Sequence, residues 1–270
     1  MTVLLYHDVL GDPRAPASGF DGADAEIYKL SRSSFEAHLA ALATTPAVFS
    51  GTAQTLPDAL SRRAEVVLSF DDGGASAWPV TGEALGRRGW HGLFFITTDR
   101  IGSTGFLEGA GIRALRAAGH LVGSHSASHP PRMAALGRDA LLREWRESRA
   151  RLEDLLGEPV RIASVPGGYH SRAVADAAEA SGYDVLFTSE PRRMPWRSGR
   201  LLVAGRFSIM RDTPPAAAAA LGTGRLLACA GQAARWNAKK LLKAVGGRAW
   251  LGFRKRYWAW NAGPGASPRR

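Results

Sequence analysis

Short apolar runs alternate with Ala-, Leu- and Arg-rich stretches of helical period between residues 2 and 209. The apolar runs are rich in β-branched and aromatic residues, a composition typical of strands. They lie at residues 2–7, 65–70, 91–97, 120–124, 162–166, 184–188 and 201–209. The helical patterns lie near residues 33–43, 76–88, 109–118, 137–156 and 171–181. Repetition of strand, helix and strand predicts a parallel sheet covered by helices, either an open doubly wound sheet or a barrel.

Charge divides the chain into two parts. The whole chain has a net charge of +11, from 35 Lys and Arg against 24 Asp and Glu. Residues 226–270 contain ten Lys or Arg, no Asp or Glu and four of the eight Trp, which leaves residues 1–225 with a net charge of +1. We therefore predict a near-neutral domain at residues 1–225 and a basic, Trp-rich helical extension at residues 226–270.

The cysteine content limits the metal chemistry. With Cys229 as the single cysteine, an internal disulfide and a zinc site with paired Cys ligands are excluded, so any metal must be bound by His, Asp or Glu. The sequence shows neither a signal-peptide pattern nor the roughly 18 to 20 apolar residues of a membrane span. We therefore expect a cytoplasmic protein, with peripheral association at the inner face of the membrane as an extension of that expectation.

Polar residues follow four predicted strands at the points where those strands end. They are His7 and Asp8 after the first strand, Asp71 and Asp72 after the second, His125 and His129 after the fourth, and residues 166–170 (PGGYH) after the fifth. In parallel sheets and barrels the carboxyl ends of the strands form the binding face. We therefore expect these side chains to converge on one site.

Two of these pairs are suited to binding a cation. Asp71 and Asp72 are adjacent carboxylates, which repel each other and are stable mainly where a cation or a proton is shared; a solvated Asp-Asp-Gly turn is the alternative. His125 and His129 are four residues apart, and two imidazoles with one carboxylate are sufficient to bind Zn²⁺, Mn²⁺, Co²⁺, Ni²⁺ or Fe²⁺. Two surface histidines in a polar loop are the alternative there.

Two segments resemble motifs of one protein family. Residues 69–73 (SFDDG) resemble the [ST]-F-D-D-G motif of the polysaccharide deacetylases, also called NodB-homology or carbohydrate esterase family 4 proteins. Residues 119–130 (GHLVGSHSASHP) are similar to that family's G-H-E-[IL]-[GA]-[SN]-H-[ST]-x-x-H-P segment. The resemblance covers about residues 1–215. It implies an α/β fold, a distorted (β/α)7-type barrel, and metal-dependent hydrolysis of an N-acetyl group on an amino sugar.

The resemblance also implies roles for individual residues. Asp71 matches the general base, and Asp72, His125 and His129 match the ligands of one divalent metal ion. We expect Zn²⁺, with Co, Ni, Mn or Fe as alternatives. Ser126 matches a position that stabilises the loop by hydrogen bonding. His120 is expected to pack in the interior, and neither His38 nor His91 is assigned a catalytic role.

The sequence departs from the family pattern at the third motif, which usually reads R-P-P-Y-G. Residues 164–168 (SVPGG) align on the proline and lack the Arg that orients the base. Arg161 and Arg206 are candidate substitutes, although a surface position is favoured for both. The backbone N–H groups of Gly167, Gly168 or Tyr169 are candidate oxyanion donors.

A second departure concerns the general acid, which the family takes from a late His. No His follows His170. The first candidate is His7, because residues 5–9 (LYHDV) resemble the Y-H-x-[VI] opening of a deacetylase subgroup, and Asp8 is expected to set its tautomer and raise its pKa. A buried His7 hydrogen-bonded to backbone is the alternative, and His170 is the second candidate acid.

The basic extension combines Lys and Arg with aromatic residues, which suits an anionic membrane surface. The candidate membrane contacts are Lys239, Lys240, Trp250, Arg254 and Trp258. Alternatively, the aromatic residues pack on the barrel and the basic residues form its solvated face. Nucleic acid is a less favoured partner, because residues 1–225 contain no nucleic-acid module.

The favoured hypothesis is therefore a metal-dependent hydrolase. It would remove an N-acetyl or other N-acyl group from an amino sugar of a glycan or of a lipid-linked glycan precursor. The alternative, suggested by the missing Arg and the missing late His, is a catalytically silent barrel that binds glycan or scaffolds a membrane-associated glycan biosynthesis complex.

Overall fold

The structure is a computed structural model that describes residues 2–15, 17–44, 48–61, 66–168, 170–238 and 240. The strands found in these residues are β1 (Thr2–Tyr6), β2 (Val9–Leu10), β3 (Leu30–Ser31), β4 (Val66–Phe70), β5 (Gly92–Ile96), β6 (Leu121–Ser124), β7 (Ile162–Ser164), β8 (Val185–Phe187), β9 (Trp196–Ser198), β10 (Leu201–Ala204) and β11 (Phe207–Ser208). The α-helices are α1 (Ala23–Glu26), α2 (Arg32–Leu42), α3 (Leu56–Ser61), α4 (Glu83–Gly86), α5 (Gly109–Ala117), α6 (Arg138–Leu156), α7 (Arg172–Ala180) and α8 (Pro215–Gly222).

One sheet organises the fold. Its strand order is β11-β1-β4-β5-β6-β7-β8-β10-β9, and all neighbours are parallel except β9 and β10. Strand β10 pairs with β8 while β11 pairs with β1, and only Gly205 and Arg206 separate β10 from β11. This short run therefore contacts both edges of the sheet and curls it into a half-barrel. With the run counted as one strand, seven parallel strands surround the interior, which confirms the distorted (β/α)7-type barrel.

The seven predicted strands form, and six of them are shifted by at most two residues at either end. The strand predicted at 201–209 is split at Gly205 and Arg206. Consecutive residues of β4 face two different cores: Val66, Leu68 and Phe70 pack against the helices, whereas Val67 packs inside the barrel. Burial on both faces explains why the strands appear as uninterrupted apolar runs. Each such Leu or Phe contributes about 1.5–3 kcal/mol to folding.

The helix starts follow local side-chain chemistry. Ser171 caps α7, because its Oγ accepts a hydrogen bond from Val174 N at 3.2 Å. Helix α2 begins one residue before the predicted helical stretch 33–43, and its N-cap is Ser31, whose Oγ accepts a hydrogen bond from Ser34 N at 3.1 Å.

The single regular helix predicted over residues 76–88 is not observed. The structure has a 3-10 turn at Ala75–Ala77, a π-helical turn at Trp78–Gly82 and then α4. Pro79 has no N–H to donate, and its ring clashes with the preceding turn of a regular helix.

The described part of the basic extension packs on the barrel. Residues 226–238 are helical, Cys229 lies in the core, and Gln232 exchanges two 2.9 Å hydrogen bonds with the backbone of Ser208 in β11. Lys240 Nζ lies 3.4 Å from Glu190 Oε1. The other predicted membrane contacts, Lys239, Trp250, Arg254 and Trp258, lie outside the described residues. Among the helices that the structure describes, none is long and apolar enough to cross a membrane.

Candidate metal centre and active site

The carboxylate pair lies at the carboxyl end of β4, where the chain turns sharply. Asp72 has a φ of 76°, and Gly73, with a φ of 77°, follows it. Gly74 is required for packing, because a Cβ there would overlap the Asp8 carboxylate. This turn directs both Asp71 and Asp72 into the mouth of the barrel, where they are buried.

Asp72, His125 and His129 converge as the sequence predicts. Asp72 Oδ1 lies 3.5 Å from His125 Nε2 and 3.5 Å from His129 Nε2. The three donor atoms all lie within 4.8 Å of one another. One carboxylate oxygen and two imidazole nitrogens match the donors that Zn²⁺ and similar ions bind in catalytic sites. These residues therefore fit a divalent metal ion.

The tautomer of His125 is set by the backbone. Its Nδ1 lies 3.0 Å from Ser164 O, a carbonyl that can only accept, so Nδ1 carries the proton and Nε2 presents its lone pair. Burial lowers the pKa of His125 to about 3, against the opposing effect of Asp71, so the ring is neutral at pH 7. Both properties suit a metal ligand.

The loop that carries the two histidines is strained and braced. In the described part of the chain, the residues other than glycine with positive φ are Asp72 (76°), Ser126 (62°) and His129 (59°), and all three belong to this site. Ser126 Oγ accepts from His129 N at 3.1 Å. Glu144 of α6 accepts from Ser128 N at 2.9 Å and from Ser128 Oγ at 2.6 Å. Such conformations persist only where neighbouring contacts fix them.

Arg206 is the residue that orients Asp71. Its Nη1 and Nη2 donate to the two carboxylate oxygens of Asp71 at 2.7 Å each, and its Nε donates to Thr188 O at 3.0 Å. The expected surface position of Arg206 is wrong: it is 0% exposed, because it lies in the run between β10 and β11. Arg161 is exposed and lies 3.5 Å from Asp184. The sequence signal that could have identified Arg206 is its position as a charged residue inside the apolar run 201–209.

The environment of Asp71 keeps it ionised. Burial by itself would raise the pKa of Asp71, but the positive charge and the hydrogen bonds of Arg206 hold that pKa well below its usual range. Ser164 Oγ also donates to Asp71 Oδ2 at 3.1 Å. Sequence reasoning did not single out Ser164, whose position inside a short strand gives no signal of this role.

His7 lies near the site with a buried nitrogen. Its ring is 4.7 Å from the ring of Tyr28, and its Nδ1 has no hydrogen-bond partner among the described residues. Burial lowers the pKa of His7 to about 4, with Asp71 opposing this effect. The expected pairing of Asp8 with His7 is wrong, because the buried Asp8 carboxylate accepts from the hydroxyls of Ser18 and Ser76 instead.

The residues after β7 are placed less favourably for catalysis. Gly168 N donates to Val165 O at 2.8 Å, so the Gly168 amide is not a free oxyanion donor. Gly167 lies in the same 3-10 turn, and Tyr169 is outside the described residues. The ring of His170 lies 5.4 Å from that of Trp196. Burial lowers the pKa of His170, and the negative charge of Glu190 opposes this effect.

A family comparison matches the central part of the chain. Residues 60–186 match a family model described as polysaccharide deacetylase, which confirms the resemblance and indicates a hydrolase of this type. That range includes Asp71, Asp72, His125 and His129, but neither His7 nor Arg206. No curated protein is similar enough in sequence to count as a match.

Solved structures share the fold. IcaB from Ammonifex degensii is 24% identical, with a TM-score of 0.65, and the match covers 82% of this chain and 96% of that one. A Streptococcus pyogenes deacetylase, PplD, solved with acetate, is 18% identical, with a TM-score of 0.65 and coverage of 80% and 94%. A de-N-acetylase from Aggregatibacter actinomycetemcomitans is 19% identical, with a TM-score of 0.63 and coverage of 76% and 93%.

Proposed function

We propose that the protein, whose residues 60–186 match the polysaccharide deacetylase family model, removes an N-acetyl group from an amino sugar of a glycan, using one divalent metal ion. Asp72, His125 and His129 would hold the ion. The observation that carries the proposal is the convergence of these three donors beside an ionised, buried Asp71. Zn²⁺ is the proposed ion, because its borderline character suits imidazole nitrogen and carboxylate oxygen together.

The reaction is hydrolysis of an amide bond. A water oxygen bonds to the acetyl carbon, the C–N bond breaks, acetate leaves, and the sugar nitrogen gains a proton. A bound divalent ion would supply a more acidic water and polarise the acetyl carbonyl. Asp71 is the group that would accept a proton from the attacking water, because it is ionised and oriented by Arg206.

The departing nitrogen needs a proton, and we propose that His7 relays it. The unpartnered Nδ1 of His7 is a buried polar atom that a substrate group can satisfy. Because the His7 pKa is about 4, the ring is neutral at pH 7. It therefore takes up a proton only as charge develops during the reaction, and does not hold one beforehand.

Arg206 weakens the case for a catalytically silent barrel. That alternative was suggested in part by the missing motif Arg, and the geometry supplies a guanidinium to the base from another strand. A barrel that only binds glycan has no need of a buried Arg–Asp pair beside three metal-type donors, since buried ion pairs seldom improve stability over apolar packing.

We also propose that the natural substrate is a lipid-linked or membrane-proximal glycan, reached from the cytoplasmic side. The ten basic residues and absence of acidic residues in 226–270 favour an anionic surface. Leu226 and Leu227, at the start of the last described helix, are 73% and 88% exposed. Co-sedimentation with vesicles of phosphatidylglycerol and phosphatidylcholine tests this proposal. Loss of binding after deletion of residues 241–270 is expected, and equal binding to pure phosphatidylcholine contradicts it.

Acetate release tests the activity. The purified chain is incubated with chitotetraose, heparosan tetrasaccharide and UDP-N-acetylglucosamine, with Zn²⁺, Co²⁺ or Ni²⁺ supplied. We expect acetate from at least one of these amino sugars, loss of activity with a chelator, and loss with Asp71→Asn. The silent-barrel alternative would be supported if the protein binds glycan without releasing acetate and if Asp71→Asn binds glycan as well as the wild type does.

A further inference from the structure

Two aromatic rings lie at the rim of the metal centre. The ring centroid of Phe20 is 4.6 Å from that of His129, and the Phe106 ring packs edge-on against Phe20 at 5.0 Å. Both phenylalanines are half-buried. Neither belongs to the catalytic set, and partly exposed aromatic faces beside a polar centre are typical of ligand sites.

A cation completes this cluster. The guanidinium carbon of Arg100 lies 5.4 Å from the centroid of Phe20 and 5.9 Å from that of Phe106. Arg100 is exposed, and within the described residues no ion pair joins it to a carboxylate. The adjacent Asp99 is instead 3.8 Å from Arg151. Rings that bind the faces of a guanidinium leave its N–H edge available for a bidentate contact. We call Phe20, Phe106 and Arg100 the Arg100 platform.

The backbone holds the platform in a fixed position next to Asp72. Gly19 N donates to Gly105 O at 2.7 Å, which joins the segment of Phe20 to the segment of Phe106. Leu107 N donates to Gly73 O at 3.0 Å, and Gly74 forms an isolated antiparallel bridge with Phe106. The platform is therefore attached to the turn that carries the metal-ligating carboxylate. A preorganised surface of this kind loses little entropy when it binds a ligand.

The Asp8 carboxylate strengthens this attachment. It accepts from Ser18 Oγ and, at 3.2 Å, from Ser76 Oγ, while Ser18 Oγ accepts from Ser76 N at 2.8 Å. Asp8 therefore joins the end of β1 to the loop that carries Phe20. This gives the buried carboxylate a structural role that does not involve His7.

We propose that the Arg100 platform is a saccharide subsite for an anionic group, a carboxylate or a phosphate, next to the acetamido sugar. The inference rests on the proposed deacetylation and names the substrate class for that site. The aromatic rings pack against apolar ring faces of the sugar, and Arg100 binds the anionic oxygens with its N–H edge. The enzyme then favours acidic glycans over neutral ones.

Kinetics with three amino sugars test this inference. Heparosan tetrasaccharide alternates N-acetylglucosamine with glucuronate, chitotetraose is neutral, and UDP-N-acetylglucosamine carries a diphosphate. For Arg100→Ala, kcat/KM for one anionic substrate is expected to fall at least tenfold more than kcat/KM for chitotetraose. Arg100→Lys keeps the positive charge but lacks the paired N–H donors of the guanidinium, so an intermediate loss of kcat/KM is expected. The matched control is Arg113→Ala, an exposed arginine on α5.

The outcomes distinguish a carboxylate ligand from a phosphate ligand. They also distinguish failure of the proposed subsite from failure of the proposed deacetylase activity. If Arg100→Ala loses kcat/KM selectively with heparosan tetrasaccharide, the anionic group is a carboxylate. If the selective loss is with UDP-N-acetylglucosamine, the group is a phosphate. Equal losses for all three sugars overturn the subsite. If none is hydrolysed, calorimetry with heparosan tetrasaccharide and with UDP-N-acetylglucosamine at low salt decides. Binding that Arg100→Ala abolishes supports the subsite while the deacetylase proposal fails, and absence of binding by the wild type overturns the subsite as well.

Discussion

Arg206 and Asp71 form a fully buried, bidentate ion pair, although 135 residues separate them in sequence. The two carboxylate oxygens each accept one guanidinium N–H at 2.7 Å. Two parallel hydrogen bonds fix the plane of the carboxylate as well as its charge. The orientation of the proposed base therefore depends on a residue outside the matched family range.

Replacement of Arg206 tests this dependence. Arg206→Lys keeps the charge but cannot form both hydrogen bonds, so we expect kcat for acetate release to fall about 10- to 100-fold while bound metal is retained. Arg206→Met leaves the Asp71 carboxylate buried without its partner, which is expected to cost about 3–5 kcal/mol of unfolding free energy in urea titrations. Arg161→Lys, an exposed arginine, is the control. Full activity of Arg206→Lys would contradict the proposed role.

Metal content tests the donor set. We expect about one divalent ion per chain in the wild type by elemental analysis, and loss of that ion in the double variant His125→Ala/His129→Ala. Asp71→Asn is expected to retain the ion, because Asp71 is not one of the three donors. His91→Ala, which removes a half-buried histidine outside the site, is the control. Retention of metal by the double variant would show that other residues bind it.

The brace on the histidine loop provides a third test. Glu144 accepts two backbone N–H bonds and one hydroxyl bond from Ala127 and Ser128. Glu144→Gln brings an amide N–H₂ group towards these donors, so metal affinity is expected to fall about 10- to 100-fold, as for other residues that orient metal ligands. Competition with a chromogenic chelator measures this. Glu147→Gln, on the same helix and exposed, is the control, and equal affinities in the two variants would argue against the brace.

The burial of His120 predicts how the free energy of unfolding depends on pH. It is buried, its Nδ1 accepts from Gly92 N at 3.2 Å, its Nε2 donates to Gly82 O at 3.0 Å, and burial lowers its pKa to about 4. The unfolded chain therefore binds the His120 proton more readily than the folded chain. The contribution of His120 is complete above about pH 6.5 and is lost as the pH falls towards 4, at up to about 1.4 kcal/mol per pH unit.

Urea unfolding at several pH values measures that slope. His120→Asn removes the titrating group and is expected to reduce the slope between pH 6.5 and 4 by up to one proton. An unchanged slope in this variant would show that His120 titrates normally in the folded protein.

Much of the fold follows from local sequence. The seven apolar runs predict the seven parallel strands, because strands buried on both faces need continuous apolar side chains. The short strands β2, β3 and β9 were not predicted, since two- or three-residue pairings depend on contacts made by the rest of the fold. The helix over 76–88 failed because Pro79 changes the hydrogen-bond pattern inside an otherwise helical segment.

The candidate site is likewise predictable from sequence only in part. Asp72, His125 and His129 are predictable, because each follows a strand end and all strand ends of a parallel sheet lie on one face. The pairing of Arg206 with Asp71 is decided by the closure of the barrel, and the pairing of Asp8 with Ser18 and Ser76 by the packing of the loops that follow β2 and β4. Long-range contacts between buried charges leave no periodic signal in sequence. The chemical type of the candidate metal donors can therefore be predicted from local sequence, whereas the groups that orient those donors are brought together only when the chain folds.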